Sequence, residues 1–337
     1  NHVGIAMLSG DQSAIRQGMA KGFNGYIQKP FTPEGLLSRI WKILDSTPPV
    51  PADGGPAKLE VDVDKIEDLP TLPAVYAQVE SLFEDADVDA GDLAKAIETD
   101  PSITLKLLKL SNSAFFGFNR EIKSLLDAIS LLGNQTVKNA VLSISVLEAM
   151  KGVGGSSELD KKEFWRHSAA CGSIVRFIAN KMRILRPECF TSGILHDIGK
   201  LILDGLYTDF YQDVFRRVRE DGVSVLEAEE QGLGFTHAKL GRELAEHWGI
   251  PKRLVEAIAH HHAPDRAELD PELASLVHIG DAVSRNLGFG SGGDSLIPAI
   301  QSFSFTQLAM EPEDLIDWEA DMMRDAEKDM AFLSAIA

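Results

Sequence analysis

The sequence predicts a mainly α-helical protein preceded by a partial α/β fragment. Three observations carry that prediction. From residue 59 onward, apolar side chains recur at spacings of three and four, the period of helices that bury one face. Residues 1–46 instead read strand, helix, strand, helix. Between them, residues 47–58 are rich in Pro and Gly and too poor in apolar residues to pack, which marks a linker.

Composition narrows the function classes. A chain of 337 residues exceeds one typical domain, and a hydrophobic fraction of 44% supports real cores. The 33 basic and 51 acidic side chains leave a net charge of −18, which argues against broad binding to nucleic acid or an anionic membrane. Cys171 and Cys189 form no disulfide framework or thiolate metal motif and read as buried apolar residues. No apolar run reaches a membrane span, and Asn1-His2-Val3 opens neither with Met nor with a signal peptide. The expected location is cytoplasmic, and the missing Met suggests a fragment.

In residues 1–46, Val3–Gly10 is a short apolar run that reads as a buried parallel strand. Asp11 to Gly22 reads as a helix with an Asp N-cap and a Gly stop. Gly25–Pro30 is a second strand, and Thr32-Pro33 opens a helix carrying Leu36, Leu37, Ile40, Trp41, Ile43 and Leu44. Two parallel strands do not stand alone, so about half a domain is expected upstream. Ser9 after one strand, Lys29-Pro30-Phe31 after the next, and Ala20-x-Gly22-Phe23-x-Gly25-Tyr26 between them resemble the C-terminal part of a two-component receiver domain. That resemblance implies a flavodoxin-like fold, an upstream histidine kinase as partner, and phosphoryl-coordinating roles for Ser9 and Lys29. On their own, Ser9 reads as a helix-capping hydroxyl and Lys29 as a solvated lysine before a turn. The phosphoacceptor Asp is not in this sequence.

Residues 59–150 read as short helices. One opens at Leu72-Pro73, a second spans Asp92 to Thr99, and Asp100-Pro101 caps a third. Ser124–Leu132 and Thr136–Met150 follow, separated by Gly133-Asn134, and few residues remain for a sheet. Asn112 is expected to tie down the loop after the third helix, with Phe115 and Phe116 as core plugs or the lining of a partner groove. Five ordered phrases resemble the HDOD family of bacterial signalling output domains. They are Leu69-Pro70-x-Leu72-Pro73, Asp100-Pro101, Leu110-Ser111-Asn112-Ser113-Ala114-Phe115-Phe116-Gly117, Ile122-x-Ser124 and Ala128-Ile129-x-Leu131-Leu132-Gly133. The resemblance runs from about Ile66 to about Phe289. It implies one domain over 59–290, in two parts at 59–150 and 160–290, followed by a tail over 291–337.

Eight of the nine histidines fall between 167 and 278. His196-Asp197 reads as an imidazole and a carboxylate on adjacent positions of one helix, about 100° apart and within reach of one ion. Asp281 stands in an apolar helix, where a lone carboxylate is costly unless paired or metal-bound. In order, these residues resemble the H…HD…D skeleton of the HD superfamily of metal-dependent phosphohydrolases. The resemblance implies a first metal at His167, His196, Asp197 and Asp281, and a second served by His237, His261 and His262, as in the HD-GYP branch. It also implies a catalytic role for Lys200 if the domain is a hydrolase. The donor types suit Fe, Mn or Zn better than Mg²⁺. One departure matters. Ala263-Pro264-Asp265 follows His262 in place of an acid and a Gly-Tyr-Pro loop, which puts cyclic-di-GMP hydrolysis in doubt. His247 reads as a cation at a helix C-terminus, His278 as a core histidine, and His260 as exposed or as a partner of a ligand.

In the tail, Gly288–Asp294 reads as a flexible loop, and Thr306-Gln307 and Pro312-Glu313-Asp314 as helix starts. The expected function is a response regulator whose HDOD domain is a protein-interaction module with an HD-type metal site, its protein partner unnamed. The alternative is a phosphohydrolase acting on a nucleotide or cyclic nucleotide.

Overall fold

The computed structural model describes residues 6–9, 25–28 and 69–336, apart from 85–87, 114, 115, 117, 119, 154–157, 185 and 233. Strands β1 (Ala6–Ser9) and β2 (Gly25–Gln28) pair in parallel, with Ala6 opposite Gly25 and Ser9 opposite Gln28. The helices expected over 11–22 and 32–44, Lys29, the linker 47–58 and Phe115 lie outside the described residues.

The first helical lobe contains α1 (Ala74–Leu82), α2 (Ala90–Glu98), α3 (Pro101–Ser111), α4 (Leu125–Leu132) and α5 (Asn134–Met150). Their starts follow from short polar caps. The Asp89 carboxylate accepts from the backbone N–H groups of Gly91 and Asp92, so α2 begins two residues before the expected Asp92. Asp100 caps α3 through Ser102 and Ile103, and Ser124 caps α4 through Asp127. Gly133, at φ +82°, turns the chain from α4 into α5. Asn112 acts as expected. Its Nδ2 donates to the Leu108 and Ile122 carbonyls, and its Oδ1 accepts from Ile122 N at 2.7 Å.

The second lobe contains α6 (Lys161–Lys181), α7 (Glu188–Leu195), α8 (Ile198–Leu206), α9 (Thr208–Asp221), α10 (Val225–Gly232), α11 (His237–His247), α12 (Lys252–His260) and α13 (Pro271–Asn286). A short 3₁₀ turn, Pro264–Arg266, separates α12 from α13. The tail adds α14 (Ser302–Leu308), α15 (Pro312–Asp317) and α16 (Glu319–Ile336). The start of α14 precedes the expected Thr306 by four residues.

One apolar core runs through both lobes, from Val75 to Met322. Helix α6 is its axis, packed by α7, α13 and α16. Leu107, Phe164, Ile174 and Leu201 are among the buried side chains, each worth about 1.5–3 kcal/mol relative to exposure. The Trp248 indole N–H joins the lobes by donating to Pro70 O at 2.8 Å. Gly199 sets a further contact, because a Cβ there would overlap the His237 carbonyl. Helix α8 therefore lies backbone to backbone on the start of α11. No helix among the described residues is long and apolar enough to cross a membrane.

Candidate metal centre

The second lobe brings seven histidine and aspartate side chains together in one place. Helix α6 supplies His167 and α13 supplies Asp281. His237 is the first residue of α11, and His261 and His262 form the turn after α12. His196 and Asp197 occupy the break between α7 and α8. This corrects the expectation that they share one helix. Asp197 leaves helical geometry, with ψ +10°, and α8 restarts at Ile198.

The donors form two groups. Ring nitrogens and carboxylate oxygens of His167, His196 and Asp281 lie within 4.8 Å of one another, as do those of Asp197, His237, His261 and His262. Asp197 joins the groups. Its Oδ2 is 3.3 Å from His196 Nε2 and 3.7 Å from His167 Nε2. Its Oδ1 is 3.1 Å from His237 Nε2 and 3.6 Å from His261 Nε2. Asp281 Oδ1 lies 3.1 Å from His167 Nε2 and 3.9 Å from His196 Nε2.

Hydrogen bonds assign the imidazole protons. His196 Nδ1 faces the Gly193 carbonyl at 2.8 Å and His261 Nδ1 faces that of Ile258 at 2.7 Å. A carbonyl only accepts, so both Nδ1 atoms carry the proton. His237 Nδ1 donates to the Glu229 carboxylate at 2.6 Å, which also accepts from His237 N and the Tyr211 hydroxyl. The Ser284 hydroxyl donates to Asp281 O and accepts from His167 Nδ1. The neutral form of each ring therefore points an Nε2 lone pair at the centre, an arrangement that fixes ring orientation and raises ligand basicity.

These residues fit metal ions. Asp197 Oδ1 and His261 Nε2 are buried without a hydrogen-bond partner. His167 Nε2 meets His196 Nε2 at 3.3 Å, where with both rings neutral two lone pairs face each other unless a cation lies between; His237 Nε2 meets His262 Nε2 at 2.9 Å. Bonds of about 2.0–2.1 Å in a tetrahedral shell give ligand–ligand edges of about 3.3 Å. The separations of 2.9–3.9 Å across both groups bracket that value.

The charge balance points the same way. Asp197, Asp281, Glu229 and Asp294 contribute −4 at the centre and its rim, and Lys200 and Arg285 contribute +2, leaving −2 before any histidine is protonated. Lys200 Nζ donates to Asp197 Oδ2 at 2.7 Å, and Arg285 Nε donates to Asp281 Oδ1 at 2.7 Å. Burial pushes the Asp197 and Asp281 carboxyls up, but His196 and Lys200 beside the first, and Arg285 and His167 beside the second, hold both well below the usual range. Burial opposes a proton on His196, yet Asp197 carries its pKa well above the ordinary value. Burial lowers His167, His262 and His261, the last to about 4.

The remaining histidines have other roles. His278 donates from Nδ1 to His261 O and accepts from Gln301 N, so its ring is fully used. His247 ends α11 on the surface, and half-buried His260 ends α12. Ser9 closes β1. Five supporting residues escaped the sequence reading: Glu229, Tyr211, Ser284, Arg285 and Asp294. Two left a signal. Glu229 is an acid on the apolar face of α10, next to buried Ala228, and Arg285 stands four residues after Asp281. Asp294 left none, since it meets Arg285 and Val225 only through the fold.

Known proteins place this architecture. The structure resembles a Geobacter sulfurreducens HDOD domain protein of unknown function, with a TM-score of 0.68 at 20% identity over 79% of this chain and 95% of that one. It also resembles a Shewanella amazonensis protein described as a candidate phosphohydrolase, with a TM-score of 0.63 at 24% identity over 80% of this chain and 97% of that one. In sequence, the chain is 25% identical over 229 residues to an uncharacterised Treponema pallidum protein, covering 66% of this chain. It is 30% identical over 119 residues to Thermus thermophilus ribonuclease Y, covering 35% of this chain. It spans 44% and 16% of the lengths of these two relatives. The HDOD domain profile matches residues 69–264, more than half the chain and both lobes of the helical body, so the chain belongs to the HDOD family.

Proposed function

We propose that this chain is a cytoplasmic signalling protein whose HDOD domain works through a two-ion metal centre. The observation that carries this reading is Asp197, one buried carboxylate with an oxygen toward each of two histidine groups. His167, His196, Asp281 and Asp197 Oδ2 would hold one ion. His237, His261, His262 and Asp197 Oδ1 would hold the other. Mixed imidazole and carboxylate donors favour Fe, Mn or Zn. Lys200 and Arg285 orient the two carboxylates and balance part of their charge. The parallel strand pair, with Ser9 at the end of β1, supports a receiver at the N-terminus. Phosphorylation of the complete receiver by a histidine kinase would then be the input, and contact with a protein partner the output.

A second reading, a metal-dependent phosphohydrolase, is favoured by the convergence of seven donors on a centre of negative charge. Such ions polarise phosphoryl oxygens and lower the pKa of water. The likeness to the Shewanella protein and to ribonuclease Y supports a phosphoester as the bond class. The charge of −18 disfavours a long polyanion and leaves small nucleotides. Ala263-Pro264-Asp265 weighs against cyclic-di-GMP, and with it the interaction role stays ahead.

The test is elemental analysis of the full chain purified without a His tag, beside His196→Ala and Asp281→Ala. Near-stoichiometric metal in the wild type and its loss in both variants is the expected result. A folded, metal-free wild type that takes up no added Mn²⁺, Fe²⁺ or Zn²⁺ would overturn both readings of the centre.

A further inference from the structure

The segment after α13 is not the flexible loop its glycines suggest. It runs back over the candidate centre and is fastened along its length. Ser291 N donates to Glu163 O on α6 at 3.0 Å. The Gly292 carbonyl accepts from Lys200 Nζ on α8 at 2.9 Å. Asp294 accepts from Arg285 Nη1 on α13 at 3.1 Å and from Val225 N on α10 at 2.8 Å. Farther on, Gln301 Nε2 donates to His262 O at 3.2 Å.

The chain lies closest at positions 292 and 290, and glycine is required at 290. A Cβ at 292 would come 2.7 Å from Arg285 Nη2 and 3.1 Å from Lys200 Nζ. Gly290 has φ +65°, and a Cβ there would overlap the Glu163 carbonyl and His167 N. The segment thus rests directly on the two cations of the centre and offers each an oxygen, a carbonyl to Lys200 and a carboxylate to Arg285. With it in place, His167, His196, Asp197, His237 and His261 are fully buried. Cations beside metal-ligating donors are where a phosphoester anion would be held. Here they are already taken from within the chain.

We propose that residues 290–296 form an autoinhibitory strap on the metal centre. The Gly292 carbonyl and the Asp294 carboxylate occupy Lys200 and Arg285 as a phosphoester anion would, and the strap lifts before such an anion enters. The proposal rests on the phosphoester reading for its ligand class, but the cover itself does not. Strap opening is a local event that leaves the core intact, because its fastenings are polar contacts and close backbone packing rather than large apolar side chains.

The test uses the full chain stripped of metal. Diethyl pyrocarbonate labelling of individual histidines, read by mass spectrometry, reports access to the centre. Hydrogen exchange of residues 288–301 reports the strap. Asp294→Ala removes the clasp on Arg285 and Val225, and Gly290→Ala drives the strap off the α6 backbone at Glu163 and His167. Each is expected to raise labelling of His196, His237 and His261 by about tenfold or more while the thermal midpoint stays within a few degrees. In the wild type, where no variant has to fold, inorganic phosphate is expected to speed exchange of the strap amides by competing for Lys200 and Arg285. Unchanged labelling in a folded variant overturns the cover, and unchanged strap exchange at saturating phosphate overturns the anion mimicry. If labelling rises but the metal-loaded variants neither bind nor cleave bis(p-nitrophenyl) phosphate, the strap stands and the phosphohydrolase reading falls.

Discussion

The two helical lobes share one apolar core but bury very different polar groups. Residues 69–150 bury Ser111, Asn139, Ser143 and Ser145, all small and neutral. Residues 160–286 bury His167, His196, Asp197, Lys200, Glu229, His237, His261 and Asp281. Apolar packing explains the first lobe without remainder. It does not explain the second, because burying ions costs several kcal/mol each and rarely adds net stability over apolar side chains of similar volume. Such an interior persists when something besides folding depends on it. The difference singles out the second lobe as the place to test for a site, without reference to any relative.

Substitutions can break or sharpen that contrast. The largest expected effect is at Asp197, where Asp197→Ala removes the carboxylate shared by both groups and leaves Lys200 buried without its ion-pair partner. Both ions should be lost by elemental analysis, with about 3–5 kcal/mol of stability in denaturant unfolding. Leu107→Ala in α3 should cost a similar 2–5 kcal/mol through a cavity, yet leave metal content per folded molecule unchanged. If metal content fell with it, the two lobes would not be separable in this way.

A finer contrast lies within the centre. Glu229→Gln weakens the acceptor for His237 Nδ1 without deleting a donor. It should lower affinity about 10–100-fold for the ion held by His237, His261 and His262. An ion at His167, His196 and Asp281 should bind as before, so titration calorimetry should resolve two sites of different affinity.

The smallest effect concerns Glu256, whose carboxylate accepts the backbone N–H groups of Glu268, Leu269 and Asp270 in the loop before α13. Burial alone would raise its pKa, but these three donors outweigh burial and lower it. A lowered folded pKa contributes stability that is present above the unfolded value, near 4.3, and is lost as pH falls through the folded one. Glu256→Gln should therefore cost about 1 kcal/mol at pH 7, and the gap to wild type should narrow in melts as pH falls below the unfolded value.

Legibility of the sequence followed the range of the interactions. The caps at Asp100 and Ser124 and the stop at Gly133 are settled by groups within three residues, so they read directly. Asn112 was legible in role because its partners, Leu108 and Ile122, lie within ten positions of it. Both donor groups were legible as residues only through a family resemblance, since spacing alone does not bring His167, 29 positions before His196, to 3.3 Å from it. The strap was misread because glycine runs look alike whether they swing free or pass tightly between side chains.

The sequence by itself determined the helical class and most helix starts. Those depend on periodicity and capping, which are local. Tertiary structure alone decided that Asp197 faces both histidine groups, that Glu229 and Ser284 set the imidazole protons, and that Gly292 and Asp294 lie on the two buried cations. Each of those depends on a few ångströms between segments far apart in the chain, a distance set by how the helices pack.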